Sequence, residues 1–393
     1  MGWLLPPVWE RIETFSPGPD YRVPYELSSD YWLYARRLSQ VRDPARIIVL
    51  GDSVVWGEYV LPDGTLSHFL NQEAGQTNSY INGGINGLFP LAMEGLIKYY
   101  GGALRQRRVL LFWNALWLTS PKADLQEAKE ETFNHARLVP QFMPRIPCYG
   151  ADMAERLSIV IEREIPFLGW VNHLQNAYFD QRSILNWTLA DDGNDPPNYP
   201  HCYQNPLAQI TLRLPMMSQD DSRRGPKSPR HKPWSETTSG NARFEWVALD
   251  TSLQWAAFKR SIEILRQRED NVLVVLGPFN EHLLAAEDKL VYRKLRDGAE
   301  QWLAQNQVRH LVPRTLSSEL YADASHPLTQ GYARLAGELY AEPSFRDWLR
   351  LGANSGSKPG RARSLVRQNL LQADQSTSLQ VSRTSQKSLQ TSP

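Results

Sequence analysis

Five short apolar runs, spaced along the chain between longer segments of helical periodicity, constrain the fold of this sequence most strongly. Short runs rich in Val, Ile and Leu are typical of strands that are buried on both faces of a parallel sheet. Strands that alternate with helices form βαβ units, so the pattern predicts a mainly parallel five-stranded sheet with helices on both faces. The predicted strands are residues 46–50, 78–82, 108–112, 271–276 and 308–312, and the predicted helices are residues 65–73, 91–100, 125–131, 154–162, 252–268 and 285–304.

Three regions of the 393-residue chain depart from this alternation. Residues 1–45 are rich in Pro, Tyr and Trp without a clear period, and we expect them to pack on the domain as an N-terminal lead-in. Residues 188–243 cluster Pro, Asp, Ser and Gly, which is typical of a long surface excursion. Residues 351–393 contain no aromatic side chain and bury too little apolar area to offset the entropy of ordering, so we expect a disordered basic tail. One α/β domain would then span residues 46–350.

The charge balance argues against a nucleic-acid partner. Lys and Arg number 43 and Asp and Glu 42, which gives a formal net charge of +1. Residues 352–393 carry six basic side chains and one acidic side chain, or +5, and this leaves −4 for the rest of the chain. No basic field therefore covers the α/β region, and nucleic-acid binding is not expected.

Cysteine content and hydropathy exclude two further classes. Cys148 and Cys202 are too few for a disulfide scaffold or a cysteine-based zinc module, although one bridge between them stays open. The longest apolar run, residues 109–118, is ten residues long and is itself interrupted by Asn114, whereas a membrane span needs roughly 20, so no integral membrane segment is expected. The first residues break an apolar run with two prolines and lack a basic region. They do not resemble a signal peptide, so the cytoplasm is the default location, with a location outside it left open.

The first strand ends in a motif that fits a nucleophile. In a parallel α/β sheet the ligand crevice lies outside the carboxyl ends of the strands, and Gly51-Asp52-Ser53 follows the first of them. Gly51 permits a tight turn, which would expose the Ser53 hydroxyl and leave backbone N–H groups for a developing oxyanion. Taken alone, such a tripeptide is more often a turn with a helix cap.

The next two strands end in residues that can donate hydrogen bonds to an oxyanion. Asn82-Gly83-Gly84-Ile85-Asn86-Gly87 follows the second strand, and its glycines let the backbone approach a ligand, although a flexible turn explains them equally well. The third strand ends in Phe112-Trp113-Asn114, which places a carboxamide at the mouth of the sheet. An amide there donates to an oxyanion or simply caps a strand or helix.

Two strand ends carry histidines that can act as a general base. In Asp323-Ala324-Ser325-His326-Pro327 the spacing lets the carboxylate bond the imidazole Nδ1 and leaves Nε2 free as a base. After the fourth strand, Asn280 and His282 are expected either to contact substrate or to form a capped turn, and His282 competes with His326 as the base. The other histidines do not follow a strand in the way that a base requires: His68, His135, His173, His201, His231 and His310.

These motifs, in this order, resemble those of the SGNH hydrolases, also called G-D-S-L esterases, over roughly residues 45–345. The resemblance implies a flavodoxin-like three-layer α/β/α sandwich with an enlarged insertion at about residues 120–270. The sequence departs from the family pattern at Val54, where the family has Leu, and in the third block, where Phe112-Trp113-Asn114-Ala115 replaces Gly-x-Asn-Asp. The resemblance assigns the nucleophile to Ser53, the base to His326, the orienting acid to Asp323 and the oxyanion donors to Gly87 and Asn114.

The expected activity is therefore hydrolysis of a carboxylic ester, such as an O-acetyl or short acyl group on a carbohydrate or small molecule. Acyl transfer to an alcohol by the same residues, and ligand binding without catalysis, are the alternatives. Trp56 and Trp113 are expected either to contact a sugar ring or acyl chain or to pack in the core. No motif indicates a metal, no cofactor is required, and the oligomeric state stays open. A basic cluster forms either a solvated loop or a lip that attracts an anionic substrate: Arg223, Arg224, Lys227, Arg230 and Lys232.

Overall fold

The computed structural model describes residues 4–127, 135–190, 204–214, 231–237 and 241–354. Several predictions fall outside these residues, namely the pairing of Cys148 with Cys202, the role of Arg223, Arg224, Lys227 and Arg230, and the nature of the tail beyond residue 354. Within the described residues, no helix is both long enough and apolar enough to span a bilayer.

A five-stranded sheet, with every strand parallel to its neighbours, forms the centre of the protein. This confirms the predicted α/β class. The strands are β1 (Ile47–Leu50), β2 (Tyr80–Asn82), β3 (Arg108–Trp113), β4 (Asn271–Leu276) and β5 (Arg309–Leu311), in the order β2-β1-β3-β4-β5. The direction of strand addition reverses between β1 and β3. In doubly wound sheets, ligands bind outside the carboxyl ends of the strands at such a switch point.

Helices surround the sheet in the described parts of the chain. α1 (Leu5–Ile12) and α2 (Tyr31–Gln40) precede β1, α3 (Ser53–Trp56) and α4 (Leu66–Glu73) follow it, and α5 (Pro90–Gly95) follows β2. Between β3 and β4 lie α6 (Met153–Glu164), α7 (Pro166–Tyr178), α8 (Ile184–Thr188), α9 (Pro206–Gln209), α10 (Trp234–Thr237) and α11 (Leu253–Gln267). α12 (Ala286–Gln305) follows β4, and α13 (Thr329–Ala341) and α14 (Pro343–Asn354) follow β5.

Five of the six predicted helices are confirmed, and three of them, α4, α6 and α11, begin at a capping side chain. Ser252 accepts a hydrogen bond from the N–H of Trp255 at 2.9 Å and so begins α11, and Thr65 begins α4 in the same way. The prediction of a helix over residues 125–131 is wrong in its described part. Leu125 lies in a turn with φ +62°, because the preceding Asp124 carboxylate turns back to accept hydrogen bonds from the first residues of α11. Residues 128–131 lie outside the described residues.

The helices pack in two layers. Alternate strand residues point to opposite faces of the sheet. Ile48, Val109 and Val274 share one hydrophobic cluster with Leu91 of α5 and Phe258 of α11. α5 packs against α11, while α4 packs against α13. Right-handed crossovers that reverse direction place their helices on opposite faces. The arrangement is consistent with a three-layer α/β sandwich.

Candidate active site

The Gly51-Asp52-Ser53 motif forms the tight turn between β1 and α3. Asp52 caps this one-turn helix by accepting a hydrogen bond from the N–H of Val54 at 3.0 Å, and Ser53 is its first residue. A side chain at Gly51 would collide with Val55, since an added Cβ would lie 2.4 Å from Cγ2 of that residue. The helix ends at Gly57, which has φ +92°. The turn therefore holds Ser53 at the carboxyl end of β1 by close packing that only glycine permits.

Ser53, His326 and Asp323 form a continuous hydrogen-bonded chain. His326 Nε2 lies 2.7 Å from Ser53 Oγ, and its Nδ1 lies 2.8 Å from each carboxylate oxygen of Asp323. The Asp323 carboxylate also accepts hydrogen bonds from the backbone N–H groups of Ser325 and His326, both at 2.9 Å. Ser53 and His326 are buried, whereas the Asp323 side chain is 39% exposed. The arrangement has the order of nucleophile, base and orienting acid that acyl transfer requires.

The electrostatics of the histidine follow from its neighbours. Burial acts to lower the pKa of His326, but the charge and hydrogen bond of Asp323, aided by the charges of Glu58 and Asp52, outweigh burial and raise that pKa to about 9. Burial acts to raise the pKa of Asp323, but the charge of His326 and the hydrogen bonds it receives lower it to about 2. The pair is therefore arranged to stabilise an imidazolium, which is the species that forms when the histidine removes a proton from serine.

Asn114 reaches the nucleophile turn from the neighbouring strand. Its Nδ2 donates a hydrogen bond to Asp52 Oδ2 at 2.9 Å, and its Oδ1 accepts one from the N–H of Leu116 at 3.0 Å. Trp117 Nε1 donates to the same Asp52 oxygen at 2.8 Å. Burial raises the pKa of Asp52, while the charge on His326 and these donors act in the opposite direction. These two hydrogen bonds hold the Asn114 side chain in place. An amide nitrogen carries two hydrogens, and the use of the second one as an oxyanion donor stays a prediction.

The glycine-rich loop after β2 lies against α3. Asn82 Nδ2 donates to the carbonyl of Val55 at 2.9 Å, and an added Cβ at Gly84 would lie 2.4 Å from the backbone nitrogen of Trp56. The loop therefore needs a glycine at Gly84 for its close approach to the nucleophile helix. Gly87 has φ +72°, which other residues rarely adopt. Its role as an oxyanion donor stays a prediction.

The residues after β4 bond the loop that carries Asp323 and His326. Asn280 is fully buried, its N–H donates to the carbonyl of Ala324 at 2.8 Å and its Nδ2 donates to the carbonyl of Asp323 at 3.2 Å. His282 is exposed, and its Nε2 lies 3.1 Å from the carbonyl oxygen of Leu316. Of the two competing histidines, His326 is the one that bonds Ser53. Substrate contact by Asn280 and His282 stays a prediction.

The two tryptophans lie in the interior. Trp56 donates its Nε1 hydrogen to the carbonyl of Val23 at 2.7 Å, and Trp113 is buried in the core beside α5 and α11. Both environments favour the packing role over contact with substrate.

Four residues of this region do not stand out in the sequence. The carboxylate Oε2 of Glu58 lies 3.6 Å from His326 Nε2, and the ring of Tyr59 lies edge-on to His326 at 5.5 Å. The ring of His231 lies against that of Tyr59, with centroids 4.4 Å apart and planes tilted by 30°. Arg22, from the N-terminal region, binds the carbonyl groups of the turn that carries Glu58 and Tyr59. The position of Glu58 and Tyr59 just after a one-turn helix is the only sequence signal for them, and nothing local points to Arg22 or His231.

Among the described residues, no group of three or more His, Cys, Asp or Glu side chains is arranged to hold a metal ion. Comparison with known proteins gives no relative: no family model matches the chain, and no curated protein matches it either.

Proposed function

We propose that this protein is a serine esterase of the SGNH type that hydrolyses a carboxylic ester through a covalent acyl-enzyme. The observation that carries the proposal is the chain from Ser53 Oγ through His326 to Asp323, with both links at 2.7 to 2.8 Å. Its position at the switch point of a parallel sheet, where ligands bind, supports the proposal independently. The SGNH fold itself, with residues 120–270 as an insertion, is part of the proposal.

In the first half of the reaction, Ser53 Oγ attacks the ester carbonyl while His326 Nε2 takes the hydroxyl proton. The negative oxygen of the tetrahedral intermediate is bound by the N–H groups of Ser53 and Gly87 and by the Asn114 amide. The first N–H groups of a helix have no partner within it, which leaves that of Ser53 available. His326 then returns the proton to the leaving alcohol as the bond between carbonyl carbon and alcohol oxygen breaks.

In the second half, water attacks the acyl-enzyme. His326 takes a proton from this water, the acid is released and Ser53 recovers its proton. An alcohol in place of water would give acyl transfer with the same residues, and product analysis in the presence of a polyol distinguishes the two reactions. Asp323 stabilises the imidazolium in both halves and keeps its own charge.

The test uses Ser53→Ala. The unaltered protein is expected to hydrolyse p-nitrophenyl acetate and to be labelled by a fluorophosphonate, and the variant is expected to lose both properties while keeping its thermal midpoint. Full labelling of the Ser53→Ala protein would overturn the assignment of the nucleophile. Ligand binding by a protein whose Ser53 is inert to the label would favour a binding protein over an enzyme.

A further inference from the structure

A second carboxylate lies on the reactive side of the catalytic histidine. Glu58 Oε2 is 3.6 Å from His326 Nε2, the nitrogen that also bonds Ser53 Oγ, and the Glu58 side chain is 24% exposed. Asp323, by contrast, bonds the opposite nitrogen. Glu58 therefore faces the space that the substrate must enter.

The backbone holds Glu58 in this place. Its N–H donates to the carbonyl of Ser53 at 3.1 Å, so the backbone at Glu58 is tied to that of the nucleophile. The turn around it contains two left-handed residues, Gly57 with φ +92° and Tyr59 with φ +67°. A left-handed Tyr is uncommon, and such strain persists only where the surrounding structure enforces it.

A buried arginine enforces this turn. The Arg22 guanidinium donates to the carbonyl of Trp56 at 3.2 Å, to that of Gly57 and to that of Val60 at 2.9 Å, and it lies 3.9 Å from the centre of the Trp56 ring. Tyr59 packs against the same site, because its ring lies edge-on to that of His326 with the ring centroids 5.5 Å apart. Glu58 is thus a positioned group of the site rather than a mobile surface carboxylate.

The chemistry of ester cleavage indicates which part of the substrate lies next to Glu58. His326 Nε2 must hand its proton to the oxygen of the leaving alcohol, so the alcohol portion of the substrate passes beside this nitrogen. Glu58 lies beside the same nitrogen. A carboxylate accepts hydrogen bonds, does not donate them when ionised and repels other anions. Its natural partner is a donor group on the alcohol portion.

We propose that Glu58 selects esters whose alcohol portion carries a hydrogen-bond donor next to the ester oxygen, either a hydroxyl or a protonated amine, and rejects esters whose alcohol portion is anionic. The proposal rests on the esterase function proposed above and names its substrate class: acyl esters of polyols, carbohydrates or amino alcohols. A basic lip, by contrast, would select esters that carry a negative charge. Four of the five basic residues of that expectation lie outside the described residues.

The test compares four acetate esters that differ only at the second carbon of the alcohol. They are 2-hydroxyethyl acetate, 2-methoxyethyl acetate, 2-(dimethylamino)ethyl acetate and acetoxyacetate, with acetate release as the common readout. We expect kcat/KM for the hydroxyethyl ester to exceed that for the methoxyethyl ester about tenfold, the lower end of what a hydrogen bond to a charged group contributes. The dimethylamino ester distinguishes an ammonium donor from a hydroxyl, and acetoxyacetate should be the poorest substrate.

Two variants of Glu58 separate its hydrogen bond from its charge. Glu58→Ala removes the acceptor and is expected to bring the hydroxyethyl to methoxyethyl ratio below twofold. Glu58→Gln keeps an acceptor oxygen, so part of that ratio should remain, but the discrimination against acetoxyacetate should fall. Removal of the negative charge should also move the acid limb of the pH profile to lower pH. Glu164 is an exposed carboxylate at the end of α6, so Glu164→Gln is the matched control. It should change neither the hydroxyethyl to methoxyethyl ratio nor the discrimination against acetoxyacetate.

The failures of the two proposals are distinguishable. An unaltered protein that neither hydrolyses p-nitrophenyl acetate nor reacts with a fluorophosphonate would overturn the esterase function and this inference with it. A protein that does both, but shows a ratio below twofold or keeps a tenfold ratio in Glu58→Ala, would overturn the role of Glu58 alone.

Discussion

Two buried histidines of this protein each bond an aspartate through Nδ1 and have pKa values raised in the same way, yet only His326 also bonds a serine hydroxyl. His326 bonds Asp323 through Nδ1 at 2.8 Å, and His173 of α7 bonds Asp30 through Nδ1 at 2.7 Å. In both, burial acts to lower the pKa and the neighbouring carboxylates outweigh it, raising the pKa of each histidine to about 9. A His–Asp pair with a raised pKa is therefore insufficient to identify a catalytic base.

The difference lies at the other ring nitrogen. His326 Nε2 faces the Ser53 hydroxyl, whereas His173 Nε2 faces Glu13 Oε1 at 3.0 Å. Glu13 also accepts a hydrogen bond from Tyr178 at 2.7 Å and forms an ion pair with Arg36. The His173 cluster, consisting of Glu13, Asp30, Arg36, His173 and Tyr178, is closed to solvent. The two pairs therefore differ in the group at Nε2, which is a serine hydroxyl at His326 and a carboxylate at His173.

Replacement of the reactive histidine should give the largest effect. We expect His326→Ala to lower kcat for p-nitrophenyl acetate by about 10⁴-fold or more, the scale reported for loss of a catalytic histidine, while the thermal midpoint changes little. His282→Ala is the comparison variant, because His282 is exposed and its described side-chain hydrogen bond is to the carbonyl of Leu316, not to Ser53. Loss of activity in His282→Ala with activity retained in His326→Ala would reverse the assignment of the base.

Replacement of His173 should lower the free energy of unfolding and leave kcat unchanged. His173→Leu leaves the carboxylates of Glu13 and Asp30 buried without their shared partner, and breaking a buried ion pair in this way costs about 3 to 5 kcal/mol. Denaturant unfolding should report this loss, with a smaller one for His173→Gln, which keeps a hydrogen-bonding side chain. At a temperature where His173→Gln is folded, kcat should match that of the unaltered protein. A kcat loss in His173→Gln as large as that in His326→Ala would break the distinction between the two clusters.

The sequence predicts the reactive pair but not the structural one. Asp323 and His326 are three residues apart, and a turn of that length brings them together. Asp30 and His173 are 143 residues apart, so their contact depends on how α7 packs against α2, which periodicity alone does not specify. The inner strands β1, β3 and β4 were predictable for a related reason. Their burial on both faces requires continuous apolar runs, which are visible in the local sequence.

The contacts of the site that depend on tertiary packing could not be predicted from the sequence. Gly51, Ser53 and Asn114 follow strand ends and are therefore accessible to sequence reasoning. The clamp by Arg22 is not, because it connects the N-terminal region to a turn more than 30 residues away. The hydrogen bond between Asn114 and Asp52 likewise requires β1 and β3 to be neighbours, which the order of strands along the chain does not reveal.

Loss of the amide donor should have an intermediate effect. The donors in the His173 cluster are bonded to carboxylates, whereas the proposed function assigns the second amide hydrogen of Asn114 to the oxyanion. Removal of such a donor typically costs about 2.7 to 4 kcal/mol of transition-state stabilisation, so Asn114→Ala should lower kcat by about 10²- to 10³-fold with little change in KM. Trp117→Phe is the matched control, because it removes the other side-chain donor to Asp52 and leaves the amide in place. Equal losses in the two variants would assign the effect to Asp52 instead of the oxyanion.

The smallest and most diagnostic effect concerns pH, because the same raised pKa has opposite consequences in the two clusters. His326 acts as a base only when neutral, so kcat/KM should rise as pH increases from 6.5 towards 9, with its acid limb well above the ordinary histidine value. His173 has a folded-state pKa above its unfolded value, so its contribution to stability is complete below pH 6.5 and is lost as pH rises through about 9. Activity should therefore increase while the thermal midpoint decreases over the same range of pH.

The variant His173→Gln tests this separation. Deprotonation of His326 also lowers the thermal midpoint, so His173→Gln should reduce the decline in midpoint only in part and should leave the acid limb of kcat/KM in place. An acid limb near pH 6.5, or one that moves in His173→Gln, would contradict the separation of the two histidines.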